Sequence, residues 1–141
     1  MHKVRVCHIT TVHRIFDVRI FHRMCCTLSS NQYEVHLIGK KSKISELNNV
    51  CFHGIPDFQN RIFRMTIGVL FAFLKSIILR PRIVHLHDPE LIPVGVLLKH
   101  FGVIVIYDMH EMLTKQLETK FYLKQYIGKH ILIKTLKYIE S

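Results

Sequence analysis

Glycine is scarce in this chain, and its positions exclude the common phosphate-binding loops. The 141 residues include six glycines, and the first of them is Gly39. The turn after the first apolar segment therefore lacks the GxGxxG fingerprint of dinucleotide-binding folds, and the chain contains no GxxxxGKS or GxxxxGKT P-loop. No GxSxG motif occurs either, which disfavours a hydrolase built around a nucleophile elbow.

Acidic residues are also few, so the charge balance is strongly basic. Ten Asp and Glu residues stand against 20 Lys and Arg residues, which gives a formal net charge of +10 at pH 7. Such an excess favours an anionic partner: a nucleic acid, a phosphorylated ligand or an anionic membrane. The basic residues are spread along the chain, and no RNP-like motif or zinc-finger spacing occurs. We therefore expect no nucleic-acid partner.

The cysteines form no CxxC pair. They are Cys7, Cys25, Cys26 and Cys51, and the first and last lie in apolar segments where cysteine behaves as a small hydrophobe. This usage predicts a reduced, cytoplasmic protein. The opening MHKVRVCHITT lacks an apolar stretch long enough for a signal peptide.

A long uninterrupted hydrophobic run is also missing. The most apolar stretch covers residues 65–79, contains Lys75 and is bounded by Arg64 and Arg80. It is shorter than the ~20 residues of a bilayer span. We expect a buried or membrane-surface helix here rather than a transmembrane one.

Short apolar segments alternate with helical patterns along the chain. Strands are predicted at residues 4–9, 33–39, 50–55, 82–87 and 102–108, and helices at residues 18–30, 61–79, 88–100 and 118–140. This alternation predicts an α/β fold, a Rossmann-like doubly wound parallel sheet with strand order 3-2-1-4-5. The length suits about one domain.

In that order the carboxyl ends of the first and fourth strands border one crevice, where such folds bind ligands. Three loops open onto it, at residues 10–17, 87–93 and 108–113. They carry the candidate site residues His13, Asp17, His87, Asp88, Glu90, His110 and Glu111.

Ordinary helix capping accounts for some of these residues as well as function does. Asp17 and Asp88 each precede a predicted helix, and Asp is a favoured N-cap. Pro89 suits a first helical turn, and Glu90 complements the helix dipole. Arg19 is either a site residue or a solvated helix charge.

The histidines leave further alternatives. His13 has no evident structural duty, and His110 at the end of a strand suits proton transfer or hydrogen bonding to a hydroxyl. His85 and His87 share one face of a strand. They are either core histidines or, in a weaker alternative, ligands of a metal hydrolase.

Three segments together resemble the amino-terminal half of a GT-B glycosyltransferase of family 4, of the type that builds polysaccharides and lipid-linked glycans. The motifs are H-x-x-x-D-x-R-I, H-x-H-D-P-E-L and Y-D-x-H-E. They occur here at His13, Asp17, Arg19 and Ile20, at residues 85–91, and at Tyr107, Asp108, His110 and Glu111. The resemblance covers nearly the whole chain. One departure is the first loop, where Thr10, Thr11 and Val12 replace the glycines of many relatives.

The resemblance implies one half of a GT-B fold, with residues 1–141 as the acceptor-side domain and the carboxyl-terminal donor domain absent. It implies retaining transfer of a sugar, of hexosyltransferase type, from a nucleotide-sugar to a glycan or lipid-linked acceptor, without a metal or cofactor. Transfer requires both reactants in one geometry, so we expect activity only with a separate donor-binding domain. The alternative is a non-catalytic truncated fragment or a membrane-surface binding module.

The resemblance also implies roles and a location. The expected catalytic residues are His110 and Glu111; those expected to bind the acceptor are His13, Asp17, Arg19, His87, Asp88 and Glu90. A cytoplasmic protein, peripheral at the inner face of the cell membrane, fits a lipid-linked acceptor. The mixture of lysines and apolar residues over residues 120–137 favours such contact.

Overall fold

The computed structural model describes residues 3–108, which form a six-stranded sheet covered by helices. The strands are β1 (Arg5–Ile9), β2 (Glu34–Lys40), β3 (Glu46–Leu47), β4 (Val50–Ile55), β5 (Ile83–Leu86) and β6 (Ile104–Tyr107). Their order is β3-β4-β2-β1-β5-β6, and all neighbours are parallel except β3 and β4. The predicted order 3-2-1-4-5 corresponds to β4-β2-β1-β5-β6, so the predicted Rossmann-like sheet is confirmed.

Three helices connect the strands. The first, α1, covers residues 18–30, with a wider π-helical part at Val18–Cys25 and a regular part at Cys26–Ser30. The second, α2, covers Arg61–Leu79. The third, α3, begins with a 3₁₀ turn at Pro89–Leu91 and continues as Ile92–His100.

Side chains alternate between the two faces of the sheet along each strand, so each face carries apolar residues. Helices cover both of these faces. On one face, Phe21 and Ile20 of α1 pack over Val35 and Leu37. On the other face, α2 and α3 cover a second core. That core contains Cys7, Ile9, Ile38, Ile55, Ala72, Val84, Leu86, Leu91, Val94 and Leu98.

The short strand β3 lies in a stretch that the sequence predicts as a polar connection. Leu47 pairs with Val50 across a two-residue turn formed by Asn48 and Asn49. Both asparagines have positive φ, 52° and 56°, which suits the tight turns that join antiparallel strands. Asparagine tolerates this conformation better than most residues. The Asn-Asn pair was therefore the feature of the sequence from which this turn could have been predicted.

The helix α2, expected to be either buried or at a membrane surface, is only partly buried. Its fully buried side chains are small, Ala72 and Ser76, one turn apart, while Val69, Phe73 and Leu79 pack partly buried against the core. Ile62 and Ile78 are 70% and 77% exposed. Among residues 3–108, α2 is the helix that could cross a membrane by length and composition, a criterion that core helices of soluble proteins also meet.

Candidate functional site

The main anchor of the loop after β1 is the buried carboxylate of Asp88, two residues beyond the end of β5. Its Oδ2 accepts hydrogen bonds from Thr10 Oγ1 at 2.8 Å, from the Thr11 amide at 2.6 Å and from the Val12 amide at 3.2 Å. Asp88 is 2% exposed. Buried carboxylates need such partners, and hydrogen bonds to a charged acceptor are among the strong ones. Asp88 therefore fixes the loop after β1 against the end of β5, the neighbouring strand in the sheet.

This geometry corrects the capping role expected for Asp88. Its backbone does occupy the N-cap position before Pro89, but its carboxylate makes no capping hydrogen bond to α3. The side chain turns instead to the loop after β1, where two backbone amides and a hydroxyl converge on it. The expected cap at Asp17 is confirmed, because its Oδ1 accepts from the amides of Arg19 and Ile20 at 2.9 and 3.1 Å.

Glu90 joins the same loop to two helices. Its Oε1 accepts a hydrogen bond from Thr11 Oγ1 at 2.5 Å and one from Arg64 Nε of α2 at 3.0 Å. Only 8% of its side chain is exposed. The negative charge of Glu90 is thus paired with the positive charge of Arg64. The hydrogen bond from Thr11 makes Glu90 a further support of the loop.

His13 lies on the open side of this loop, between two carboxylates. Its Nε2 is 3.5 Å from Asp88 Oδ1, and its Nδ1 is 3.8 Å from Asp17 Oδ2. About a third of the side chain, 35%, is exposed. The ring is therefore oriented by the protein and still reachable by a ligand.

Asp17 keeps its negative charge in this arrangement. Partial burial opposes ionisation, but the hydrogen bonds from the amides of Ile20 and Arg19 outweigh it and lower the pKa of the carboxyl group. His13 and Arg19 nearby act in the same direction. One oxygen of Asp17 caps α1 while the other faces His13.

A second chain of polar contacts runs from the sheet interior to the end of β6. His8 Nδ1 and His87 Nε2 are hydrogen bonded at 3.0 Å, and His87 Nδ1 lies 3.3 Å from Asp108 Oδ2. Asp108 in turn lies 3.6 Å from Arg19 Nη2 of α1. His87 is 3% exposed, so it is not open to direct contact with a ligand. Its contribution to the site is the contact that it makes with Asp108.

Burial determines the charge state of His8. The cost of burying an imidazolium lowers its pKa to about 3, and the neighbouring His87 and His85 add to this effect. Asp108 opposes it only in part. His8 is therefore a neutral imidazole at neutral pH.

The structure thus brings six of the predicted site residues to the carboxyl ends of β1, β5 and β6. They are His13, Asp17, Arg19, His87, Asp88 and Glu90. His110 and Glu111, the predicted catalytic residues, lie outside the described residues, so their assignment stays a prediction.

Sequence reasoning missed Thr10, Thr11 and His8 as parts of this site. Their roles depend on which side chain of the neighbouring strand meets them, and a single sequence does not show this directly. A signal for His8 was available, since the predicted order places it beside His85 on adjacent parallel strands.

Comparisons with known proteins identify the fold. No protein family model matches the sequence, and no curated protein matches it. Among solved structures, the chain is similar to sucrose-phosphate synthase from Thermosynechococcus elongatus, with a TM-score of 0.63 and 11% identity. The similarity covers 94% of this chain and 39% of that structure, so the chain spans about two-fifths of its neighbour's length. The likeness shows a Rossmann-like half of the GT-B architecture.

Proposed function

We propose that this chain is the acceptor-side half of a retaining glycosyltransferase of the family 4 type. The reaction moves a sugar from a nucleotide-sugar to a glycan or lipid-linked acceptor. The observation that carries the proposal is the loop after β1, which closes onto Asp88 and leaves His13 accessible at the carboxyl edge of the sheet. Its fold is similar to part of a sucrose-phosphate synthase, and the three sequence motifs support the finer family assignment.

The residues divide into two roles in this proposal. His13 and Asp17, which are partly exposed, contact the acceptor's hydroxyl groups. The buried Asp88 and Glu90 are positioning residues, because they hold the loop that presents His13. A histidine with two fixed carboxylates beside it can orient a hydroxyl group of the acceptor. It can also accept a hydrogen bond from that hydroxyl group, or its proton, as the hydroxyl oxygen attacks the donor sugar.

Arg19 and His87 complete the acceptor side of the proposed site. Arg19 carries a permanent charge at the start of α1 and pairs with Asp108, so it can also attract a phosphate of a lipid-linked acceptor. The buried His87 orients the carboxylate of Asp108 through the contact at its Nδ1. His110 and Glu111 are proposed to act on the transferred sugar, and the transfer step itself uses neither a resident metal nor a cofactor.

Transfer in this proposal requires a donor-binding domain, because the rate depends on holding both reactants in one geometry. The test is an assay of labelled sugar transfer from a panel of nucleotide-sugars to glycan and lipid fractions. We expect product with a donor-binding half present and none with residues 1–141 alone. Equal transfer by the chain alone would contradict the division into halves, and no transfer under either condition would favour a non-catalytic module.

We further propose that the protein is cytoplasmic and rests on an anionic bilayer through α2, which suits a lipid-linked acceptor. Exposed apolar side chains line this helix, with Ile62 and Ile78 the most exposed. No acidic residue occurs between residues 61 and 79, whereas Lys75 lies within the helix and Arg80 follows it. Apolar side chains flanked by cations suit the surface of an anionic membrane.

A further inference from the structure

Three histidines lie side by side on the α1 face of the sheet, beneath the candidate site. His8 in β1 is the direct neighbour of His85 in β5, and His87 follows two residues later on the same face. The ring centroids are 4.9 Å apart for His8 and His85, 4.8 Å for His85 and His87, and 5.3 Å for His8 and His87. One ring nitrogen from each histidine lies within 4.8 Å of the other two.

This spacing is close to what a tetrahedral metal ion needs. His8 Nδ1 and His87 Nε2 are 3.0 Å apart. Two imidazole nitrogens bound to Zn²⁺ at ~2.0–2.1 Å in a tetrahedral site lie about 3.3 Å from each other. The two rings therefore already converge, and the His85 ring, with a nitrogen within 4.8 Å of the other two, must move closer to share the ion.

The protonation chemistry also suits a metal. Metal ligation needs a neutral imidazole, and in the contact between His8 and His87 at least one ring accepts through a free nitrogen lone pair. The two hydrogen-bonded rings share one proton between Nδ1 of His8 and Nε2 of His87. When a metal ion replaces this shared proton, the proton moves to the other nitrogen of the same imidazole ring, the one that faces away from the metal. On His87 this nitrogen is Nδ1, which lies 3.3 Å from the Asp108 carboxylate.

Asp108 occupies the position of a supporting carboxylate. Histidine ligands of metals usually donate their other ring N–H to a carboxylate or carbonyl group, which fixes the ring and strengthens the ligand. The contact between His87 Nδ1 and Asp108 Oδ2 provides this arrangement before any ion binds.

A cavity gives access to the cluster. A space of about 320 Å³, lined by His8 and His85 among mainly apolar side chains, lies between α1 and the sheet. The Nε2 atom of His8 is buried and has no hydrogen-bond partner among the described residues. The cavity leaves room for a water molecule as a fourth ligand.

We propose that His8, His85 and His87 bind one Zn²⁺ ion at a site that joins β1 to β5, with a water molecule as the fourth ligand. All three ligands are imidazoles, which suit zinc better than magnesium or calcium. The ion lies beneath the loop that Asp88 holds, and its function is to fix that edge of the sheet. The site is independent of the sugar-transfer proposal, because its test measures metal binding and stability alone.

The experiment uses the full chain, without a polyhistidine tag, dialysed against a chelator and then against Zn²⁺ at neutral pH. Mass spectrometry of the bound metal should give one equivalent per chain, and the midpoint of thermal unfolding should rise with Zn²⁺ concentration. His85→Gln should reduce the bound metal to below a tenth of an equivalent. His53→Gln is the matched control, because His53 also contacts a histidine in this sheet, His36, at 2.9 Å, but belongs to no candidate metal-binding group of three among residues 3–108.

A second variant covers the case in which His85→Gln does not fold. Asp108→Asn keeps the ligands and weakens their support, so Zn²⁺ affinity should fall about 10–100-fold. Substitution of Zn²⁺ by Co²⁺ should also give the visible absorption of a tetrahedral site in the wild-type chain. Less than a tenth of an equivalent in the wild-type chain, or an equal loss in His53→Gln, would overturn the proposal.

Discussion

Asp88 Oδ2 lies 2.6 Å from the backbone nitrogen of Thr11, and this contact joins the ends of two parallel strands. Thr11 belongs to the loop after β1, and Asp88 lies two residues after Leu86, the last residue of the adjacent strand β5. In a doubly wound sheet these two ends border the ligand crevice. The buried carboxylate of Asp88, with Glu90 beside it, thus holds the loop that carries His13.

Replacement of Asp88 by Asn should destabilise the domain. The amide group carries no charge and can present an N–H group to the two backbone donors of Thr11 and Val12, which would then lose their acceptor. Leaving buried groups unpaired costs about 1–3 kcal/mol. Urea unfolding followed by circular dichroism should show that loss.

The matched control is Asp57→Asn, since the Asp57 side chain is 43% exposed and forms a surface ion pair with Lys40 at 3.1 Å. Exposed ion pairs contribute about 0–1 kcal/mol, so the control should change little. If both variants unfold at the same urea concentration as the wild type, Asp88 does not hold the loop.

Acidification should reduce stability because of His8. Its pKa in the folded chain is about 3, whereas a histidine in the unfolded chain has a pKa near ~6.5. Between those values the unfolded chain binds the extra proton, so the free energy of unfolding falls as the pH falls from about 6.5 towards 3. Burial also lowers the pKa of His53, which adds a contribution of the same sign.

Urea unfolding between pH 7.5 and pH 4.5, in the presence of a chelator, measures this dependence. The slope against pH should be smaller in His8→Asn than in the wild type. His100→Asn, on the surface of α3, should keep the wild-type slope. An unchanged slope in His8→Asn would show that His8 is not the group that titrates.

Membrane contact through α2 predicts selective binding to anionic vesicles. The wild-type chain should sediment with phosphatidylglycerol vesicles and remain in solution with phosphatidylcholine vesicles. Ile78→Asp places a negative charge on the most exposed apolar position of α2 and should lower the bound fraction several-fold.

Val18→Asp is the matched control. Val18 is 64% exposed at the start of α1, where a negative charge is compatible with the helix dipole. Equal loss in the two variants, or equal binding to both kinds of vesicle, would contradict the membrane proposal. A dimer that forms without lipid and is lost only in Ile78→Asp would identify a second copy of the chain as the occupant instead.

The strand order could be predicted from the sequence because it depends on local patterns. Apolar segments of strand length alternate with helical periodicity, and few sheet topologies accommodate that alternation. The cap at Asp17 was also predictable, since its partners lie two and three residues along the same chain.

The direction of the Asp88 side chain could not be predicted in this way. The sequence places it before a helix, and a cap is the local solution, but its partners are 76 to 78 residues away. The exposure of α2 is a similar case. Its apolar pattern alone does not show that Ala72 and Ser76 are fully buried while Ile62 and Ile78 are exposed.

The central proposal is that the chain holds the acceptor of a glycosyltransferase, and His13→Ala tests it most directly. The measurement is the KM for the acceptor and the KM for the nucleotide-sugar in protein that includes the donor-binding half. Loss of a hydrogen bond to a charged or polarised group costs about 1.5–3 kcal/mol. We predict that the acceptor KM rises by about 10–100-fold, while the nucleotide-sugar KM and the unfolding midpoint stay unchanged. A rise in the nucleotide-sugar KM with an unchanged acceptor KM would contradict the account.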